Sequence, residues 1–393
     1  MNVAVVGLGF SGLSTAALLA AGGHAVCAYD TSSNVRRTLR AVTGFSGEPC
    51  VYRAVEQALA LGDLRFVERI PAADAYIIGV PAEHLEETAG VVARAAPPGS
   101  ILALESIVAP GTTERIFEAA LRGAHRSIDG YHVAYCPQRV TPGAFIRELR
   151  SNPRIIGGRT REDALIVRDL YASFCTAPIS LTTTIVAEVV KNVENAYREV
   201  NIAFANELAI FCEEFGVDVW ETISLANAHP CVDVLSPAPD VRSDLNPIVT
   251  DVIQAARRVN ERMPYHLVAQ IGELVGPGAG QKIAILGAPA MAIDALLRER
   301  GYEAAIYDPI VRTHSLPLCD TLRETVADAH ALVLLAAHHV FSRITPSSVG
   351  PLMRARRLVD TRNFFDTAQW RKAGFDCYTL GRPFERRRHM ELV

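Results

Sequence analysis

The stretch Val3 to Gly12, VAVVGLGFSG, constrains this chain more than any other, because it sets Gly7, Gly9 and Gly12 directly after an apolar strand and directly before the small-residue helix Leu13 to Ala21. In a G-x-G-x-x-G turn the first glycine makes the tight bend. The second lets the backbone approach a pyrophosphate, and the third lets the helix pack closely on the strand. A second strand closes at Asp30, about 20 residues on, where a carboxylate can accept hydrogen bonds from ribose hydroxyls and repel a 2′-phosphate. Phosphate recognition by a dinucleotide fold is expected, with NAD favoured over NADP. Two alternatives stay open: the glycines form only a tight turn, or Arg36 and Arg37 serve the phosphate of NADP rather than lying on an exposed helix face.

From Val3 to about Arg159, short β-branched runs alternate with helical stretches at Val3–Val6, Ala25–Tyr29, Ala75–Val80, Ile101–Leu104 and Val133–Tyr135, as in a parallel sheet covered on both faces. Thr184 to Ala228 is a long helical stretch broken near Gly216. After Pro264 the alternation resumes at Lys282–Leu286, Ala304–Tyr307, Ala331–Leu335 and Arg357–Asp360, which predicts a second, smaller α/β domain. "VAVVGLGF…AVCAYD" recurs as "KIAILGAP…AAIYDP", so the halves look like distant copies. The expected fold is α/β, with two Rossmann-like doubly wound domains joined by a long central helical region. The expected boundaries are 1–183 for an NAD-binding domain, 184–275 for a helical connector and dimerisation region, and 276–393 for a substrate domain. Ser236 to Pro247, rich in Pro and Asp, is expected to be a loop.

The 393 residues carry 39 basic and 43 acidic side chains without blocks, a net charge of -4, so nothing marks a nucleic-acid or membrane partner. A small molecule is the expected partner. The eight cysteines are too dispersed for a zinc site or a disulfide scaffold, so no metal is expected. With no basic leader before the first strand, the expected setting is a reducing cytoplasm.

Several segments together resemble the UDP-glucose and GDP-mannose dehydrogenase family, most closely its UDP-N-acetylmannosamine branch. They are VAVVGLGFSGL, ADAYIIGVP at Ala73 to Pro81, LESIVAPGTT at Leu104 to Thr113, YCPQRVTPG at Tyr135 to Gly143, KNVENAYREVNIAFANELA at Lys191 to Ala209, and LVDTRNFFD at Leu358 to Asp366. The resemblance implies a cofactor domain, a central helix that forms a homodimer, and a C-terminal domain that holds the nucleotide of a sugar substrate. It places Gly7, Gly9, Phe10, Ser11, Gly12, Asp30, Val80, Pro81 and Ser106 at the NAD, and Gln138, Arg139 and Arg362 at the substrate. Lys191 and Asn195 match a K-x-x-x-N pair, whose i, i+4 spacing puts ammonium and amide on one helix face within reach of one oxygen.

The family's four-electron oxidation takes an alcohol to an aldehyde with a base and a hydride acceptor, then to an acid through a cysteine thioester. The second half lacks its residues in this chain. Where relatives read P-G-P-G-V-G-G-H-C, this chain reads Pro237, Ala238, Pro239, Asp240, Val241, Arg242, Ser243, Asp244, Leu245, which puts a leucine at the nucleophile. Ile107 replaces the family's threonine and Gln138 the glutamate of Y-C-P-E-R, and the aspartate expected after the cysteine has no clear counterpart. Ile285 to Gly301 lacks the F-K-P and D-x-R-x-S block that helps grip the nucleotide. Cys231, a few residues before the altered loop, is either a substitute nucleophile or, as free cysteines more often are, a packed small side chain. His229 beside it is expected to be structural. The expected function is a two-electron, NAD-dependent oxidation of a sugar or sugar-nucleotide alcohol. The alternatives are a redox-neutral epimerase and a catalytically silent binder.

Overall fold

A computed structural model of the chain describes residues 1–32, 49–141, 143–240, 250–288, 291–311 and 316–382. Arg36, Arg37 and Leu245 lie outside the described residues, as does the loop from Val241 to Pro247. The described residues divide into two compact units, one within 1–195 and the other within 196–382.

In the first unit eight strands form one sheet: β1 Asn2–Val6, β2 Ala25–Tyr29, β3 Leu64–Phe66, β4 Ala75–Ile78, β5 Ile101–Leu104, β6 His132–Tyr135, β7 Arg154–Gly158 and β8 Ile179–Thr183. Their order is β3-β2-β1-β4-β5-β6-β7-β8, and all pairs are parallel except β6 with β7. Its first six strands follow the dinucleotide-binding order, whose direction reverses between β1 and β4. Side chains explain why the strands are continuous apolar runs. Val3 and Val5 enter the core on one face while Ala4 and Val6 enter the core on the other, so neither face tolerates polar alternation.

The second unit holds a five-stranded parallel sheet, ordered β10-β9-β11-β12-β13, built from β9 Lys282–Leu286, β10 Glu303–Tyr307, β11 Ala331–Leu334, β12 Arg357–Asp360 and β13 Asp376–Thr379. Ile283 and Ile285 face one core cluster, Ala284 and Leu286 the other. The expected α/β class with two Rossmann-like sheets is what the chain adopts.

The likeness of the two halves extends to their turns. Gly7 has φ +99° and donates its N–H to Tyr29, and the next N–H, Leu8, bonds the Asp30 carboxylate. In the second half Gly287 has φ +94° and donates to Tyr307, and the next N–H, Ala288, bonds the Asp308 carboxylate.

Helix Thr184–Phe215 stops before Gly216, which sits at φ +69°, and helix Val219–Ala226 follows. Pro264 lies inside helix Asp251–Val275, buried, where the missing N–H costs one helical bond and the side chain still packs. No helix among the described residues is long and apolar enough to cross a membrane.

Candidate functional site

The glycines of the first turn are where their chemistry requires them. A Cβ on Gly7 would lie 2.3 Å from the Gly79 carbonyl oxygen and one on Gly12 would lie 1.8 Å from that of Gly7, so neither position admits a side chain. A Cβ on Gly9 would meet nothing within 4 Å. It faces open space at the start of helix Phe10–Ala21, which has no side-chain cap. That combination fits a pyrophosphate, which needs backbone N–H groups it can approach. The Asp30 carboxylate is oriented by N–H groups of Leu8 at 2.7 Å and Ser32 at 2.8 Å. Across the switch point, Ser106 accepts from the Val80 N–H at 3.0 Å and donates to the Val80 carbonyl at 2.7 Å, tying the loop after β5 to the loop after β4 that carries Pro81. Phe10 packs edge-on against Tyr52 and beside Phe145.

Beneath this turn lies a buried polar network that the sequence did not reveal. Glu105 accepts from the Tyr171 hydroxyl at 2.8 Å, the Gln138 amide at 2.6 Å and the Thr15 hydroxyl at 3.1 Å, and Arg154 lies 3.6 Å away, stacked over the Tyr171 ring. Burial pushes the Glu105 carboxyl above its usual range, opposed by the Arg154 guanidinium and by these hydrogen bonds. Gln138 is turned into this network, and its amide oxygen accepts from the Ser11 hydroxyl. A glutamate here would bring a second carboxylate against Glu105, whereas the amide can donate to Glu105 and accept from Ser11 at once. Cys136, next door, is fully buried with its thiol pushed well up by desolvation, which suits an inert core thiol rather than a nucleophile.

The Lys191 and Asn195 pair stands on the first turns of helix Thr184–Phe215, and three side chains fix those turns to the first unit. Thr184 donates to Glu114. One turn on, the fully buried Glu188 accepts from the N–H of Gly111, the N–H of Thr113 at 2.8 Å and the hydroxyl of Thr113 at 2.6 Å. A further turn on, the Asn192 amide donates to the Val108 carbonyl at 2.8 Å. Residues 184, 188 and 192 share a face by their i, i+4 steps, so the helix is clamped along the loop after β5 and the catalytic candidates are carried on the neighbouring face. Lys191 is half-buried. The Asn195 amide nitrogen is buried and has no hydrogen-bond partner among the described residues. Arg139 pairs with Glu194 at 2.7 Å and donates to the Pro153 carbonyl at 2.8 Å.

In the second unit Arg362 donates from Nε to the Leu335 carbonyl at 2.8 Å and from Nη2 to Asp240. Burial pushes the Asp240 carboxyl up, against the pull of Arg362. The segment leading to Asp240 is held by three asparagines. Asn227 bonds both the N–H and C=O of Val234, Asn201 takes the Leu235 N–H and donates to the Asp233 carbonyl, and the buried Asn206 bonds both the N–H and C=O of Ala238. Cys231 lies in an exposed turn, its N–H on His229. Among the described residues no group of three or more His, Cys, Asp or Glu could hold a metal ion.

A dinucleotide turn on a doubly wound sheet, with a Lys and Asn pair on an anchored helix and a second α/β sheet, defines an NAD-dependent oxidoreductase. The chain belongs to the UDP-glucose/GDP-mannose dehydrogenase family: residues 1–175 match its NAD binding domain, 185–242 its central domain and 285–367 its UDP binding domain. It is similar to the UDP-N-acetyl-D-mannosamine dehydrogenase of Methanocaldococcus jannaschii, 32% identical with 97% of this chain and 96% of that one covered. It is also similar to that of Salmonella typhi, 32% identical with 92% and 98% covered. Among solved structures it resembles the UDP-D-ManNAc dehydrogenase of Pyrococcus horikoshii, with TM-score 0.83, 32% identity and 98% and 100% coverage. It also resembles the UDP-N-acetyl-mannosamine dehydrogenase of Staphylococcus aureus, with TM-score 0.84, 26% identity and 97% and 98% coverage.

Proposed function

We propose that this protein oxidises one alcohol carbon of a UDP-sugar by a single hydride transfer and releases a carbonyl compound. The observation that carries the reading is the Asn195 amide, a buried donor without a partner among the described residues, one helical turn from Lys191. A buried unpaired donor costs about 1–3 kcal/mol, and a substrate oxygen would relieve that cost. In the step, the Lys191 amine takes the hydroxyl proton as the C–H bond gives up its hydride, and Asn195 holds the oxygen on which charge develops. Bound NAD+ would supply the hydride acceptor; Gly7, Gly9, Phe10, Ser11 and Gly12 would hold its pyrophosphate, Asp30 its ribose, and Val80, Pro81 and Ser106 would complete its site.

Leu245 in place of the cysteine, with Ile107 and Gln138 in place of threonine and glutamate, supports a reaction that stops after two electrons. A leucine forms no thiohemiacetal. The engagement of Gln138 with Glu105 and Ser11 supports the same reading, because an amide so used activates no water. UDP-N-acetylmannosamine is the first substrate to try, since the similar proteins named above act on it. Arg139 and Arg362 would contribute to its binding, and the segments 1–183, 184–275 and 276–393 would serve as cofactor, connector and substrate parts. Turnover is expected to give one NADH per substrate and a product that reacts with carbonyl reagents. Two NADH and a carboxylate would overturn the reading and make Cys231 the first candidate nucleophile. NAD binding with no NADH from any UDP-sugar would favour a silent binder.

The dimer is part of the proposal. Along helix Thr184–Phe215 the side chains of Val186, Val189, Val193, Tyr197, Phe204, Phe211 and Phe215 are all exposed, and they recur in steps of three, four and seven. Such a stripe is an interface in waiting, and a second copy presents a matching one. Ile202, on the same helix, is buried instead, and Leu208 is half-buried. Light scattering at micromolar concentration is expected to give a dimer and Phe211→Asp a monomer. A wild-type monomer would refute the assignment.

A further inference from the structure

The turn after β9 repeats the cofactor turn after β1 but spends its acid differently. A Cβ on Gly287 would lie 2.6 Å from that of Ala336, so the chain leaving β9 runs against the chain leaving β11 where the strand order reverses, the place at which ligands of open parallel sheets gather. Asp308, from the end of β10, joins the two. Its Oδ2 accepts from the Ala288 N–H at 2.7 Å and lies 3.4 Å from Nε2 of His338, while its Oδ1 accepts from the N–H groups of Ile310 at 2.7 Å and Val311 at 3.0 Å. A carboxylate has about four acceptor positions, and these neighbours take them all. Buried as well, Asp308 has nothing left to offer a ribose of the kind that Asp30, its half-buried counterpart, is proposed to meet.

What it orients instead is an imidazole. Burial works to raise the Asp308 carboxyl, but the bonds from His338 and the three N–H groups outweigh it and hold the carboxyl below its usual range, so it stays an ionised acceptor. Nε2 of His338 must then carry the proton, which leaves the lone pair of a neutral ring on Nδ1. That atom has no hydrogen-bond partner among the described residues, and the side chain is 25% exposed. The ring is seated against the buried Phe341, their centroids 5.4 Å apart. All of these residues lie in one unit and inside the segment 285–367 that matches the UDP binding domain.

We propose that His338 is a specificity-determining residue of the nucleotide site: its Nδ1 accepts from the 2′-hydroxyl of the uridine ribose, the part assigned to Asp30 toward NAD, so that the site prefers a ribonucleotide sugar to its 2′-deoxy counterpart. An oriented acceptor built to meet a hydroxyl is left unpaired by an analogue that lacks it, which discriminates more sharply than apolar fit does. The inference rests on the UDP-sugar reading above and is indifferent to the number of electrons removed.

Calorimetry with UDP and 2′-deoxy-UDP tests this without cofactor or turnover. Wild type is expected to bind UDP about tenfold more tightly than the deoxy probe. His338→Phe keeps a ring against Phe341 and removes the acceptor, and it is expected to bring the two affinities within about twofold of each other, chiefly by weakening UDP. His338→Ala should do the same and serves where the larger ring disturbs the fold. His338→Gln, whose amide oxygen still accepts, should keep part of the preference. A folded His338→Phe or His338→Ala that retains the wild-type ratio, with both affinities or the melting temperature lowered together, would show that the imidazole only holds the turn and would overturn the proposal. So would a wild type indifferent to the 2′-hydroxyl. Failure of wild type to bind either probe would sink the UDP-sugar reading and this inference with it, whereas UDP binding with an unmoved ratio would sink the role of His338 alone.

Discussion

Lys191→Ala is expected to lower the rate of hydride transfer by about 10²- to 10⁴-fold, the usual worth of a positioned acid or base. Single-turnover NADH formation with saturating UDP-sugar measures it, and NAD affinity should stay near wild type because the cofactor turn lies on other elements. Lys191→Arg should not rescue the rate, since a guanidinium does not give up its proton in a protein and so cannot take one from the alcohol. The helix that carries Lys191 is held by Thr184, Glu188 and Asn192 whether or not the lysine is present, so the loss should come without a loss of fold. An unchanged rate in Lys191→Ala would remove the lysine from the chemistry.

Glu188→Ala is expected to be the most damaging single change to stability. It takes the acceptor from two backbone N–H groups at the start of helix Thr112–Gly123 and from the Thr113 hydroxyl; Glu188 and Thr113 are fully buried, so water cannot easily substitute at the two Thr113 donors, whereas Gly111 is exposed. Two to three orphaned donors cost roughly 3–5 kcal/mol, and the helix terminus loses a favourable negative charge as well. For a unit of this size the first thermal transition should fall by on the order of 10 °C. Glu188→Gln should fall by less, because one oxygen still accepts. A melting curve for Glu188→Ala that overlays wild type would show that the clamp contributes little.

The strands with continuous apolar runs, β1, β2, β4, β5, β6 and β9 to β12, were legible because burial on both faces of a parallel sheet favours such a run. β7, RIIGG, was not. It opens on the buried Arg154 and ends on two glycines that ordinary strand preferences count against it. The structure shows why they are needed: a Cβ on Gly157 would lie 2.4 Å from the Thr183 carbonyl, and one on Gly158 would lie 2.4 Å from the Ala164 nitrogen. That demand comes from neighbours distant in sequence. β3, with three residues, and β8, whose side chains are half-buried or exposed, carry too little apolar signal.

The candidate site was legible to the same degree. Gly7, Gly9, Gly12 and Asp30 announce themselves by spacing, and Lys191 with Asn195 by a four-residue step joined to a resemblance. Glu188 looked like any helix-surface acid, and nothing local pairs it with Gly111 and Thr113 across more than seventy residues. In the sequence Gln138 stands both for a replaced glutamate and for a substrate-binding residue. Its bond to Ser11, 127 positions away, gives the amide an occupation that only the folded chain displays.

The three asparagines that grip residues 233 to 238 read backbone and not side chains, so their hold is indifferent to what the loop beyond carries. Exchange of the residues after Asp240 is therefore expected to leave the grip on residues 233 to 238 in place. An engineer wishing to install a cysteine or another group in that loop would find the mounting already in place.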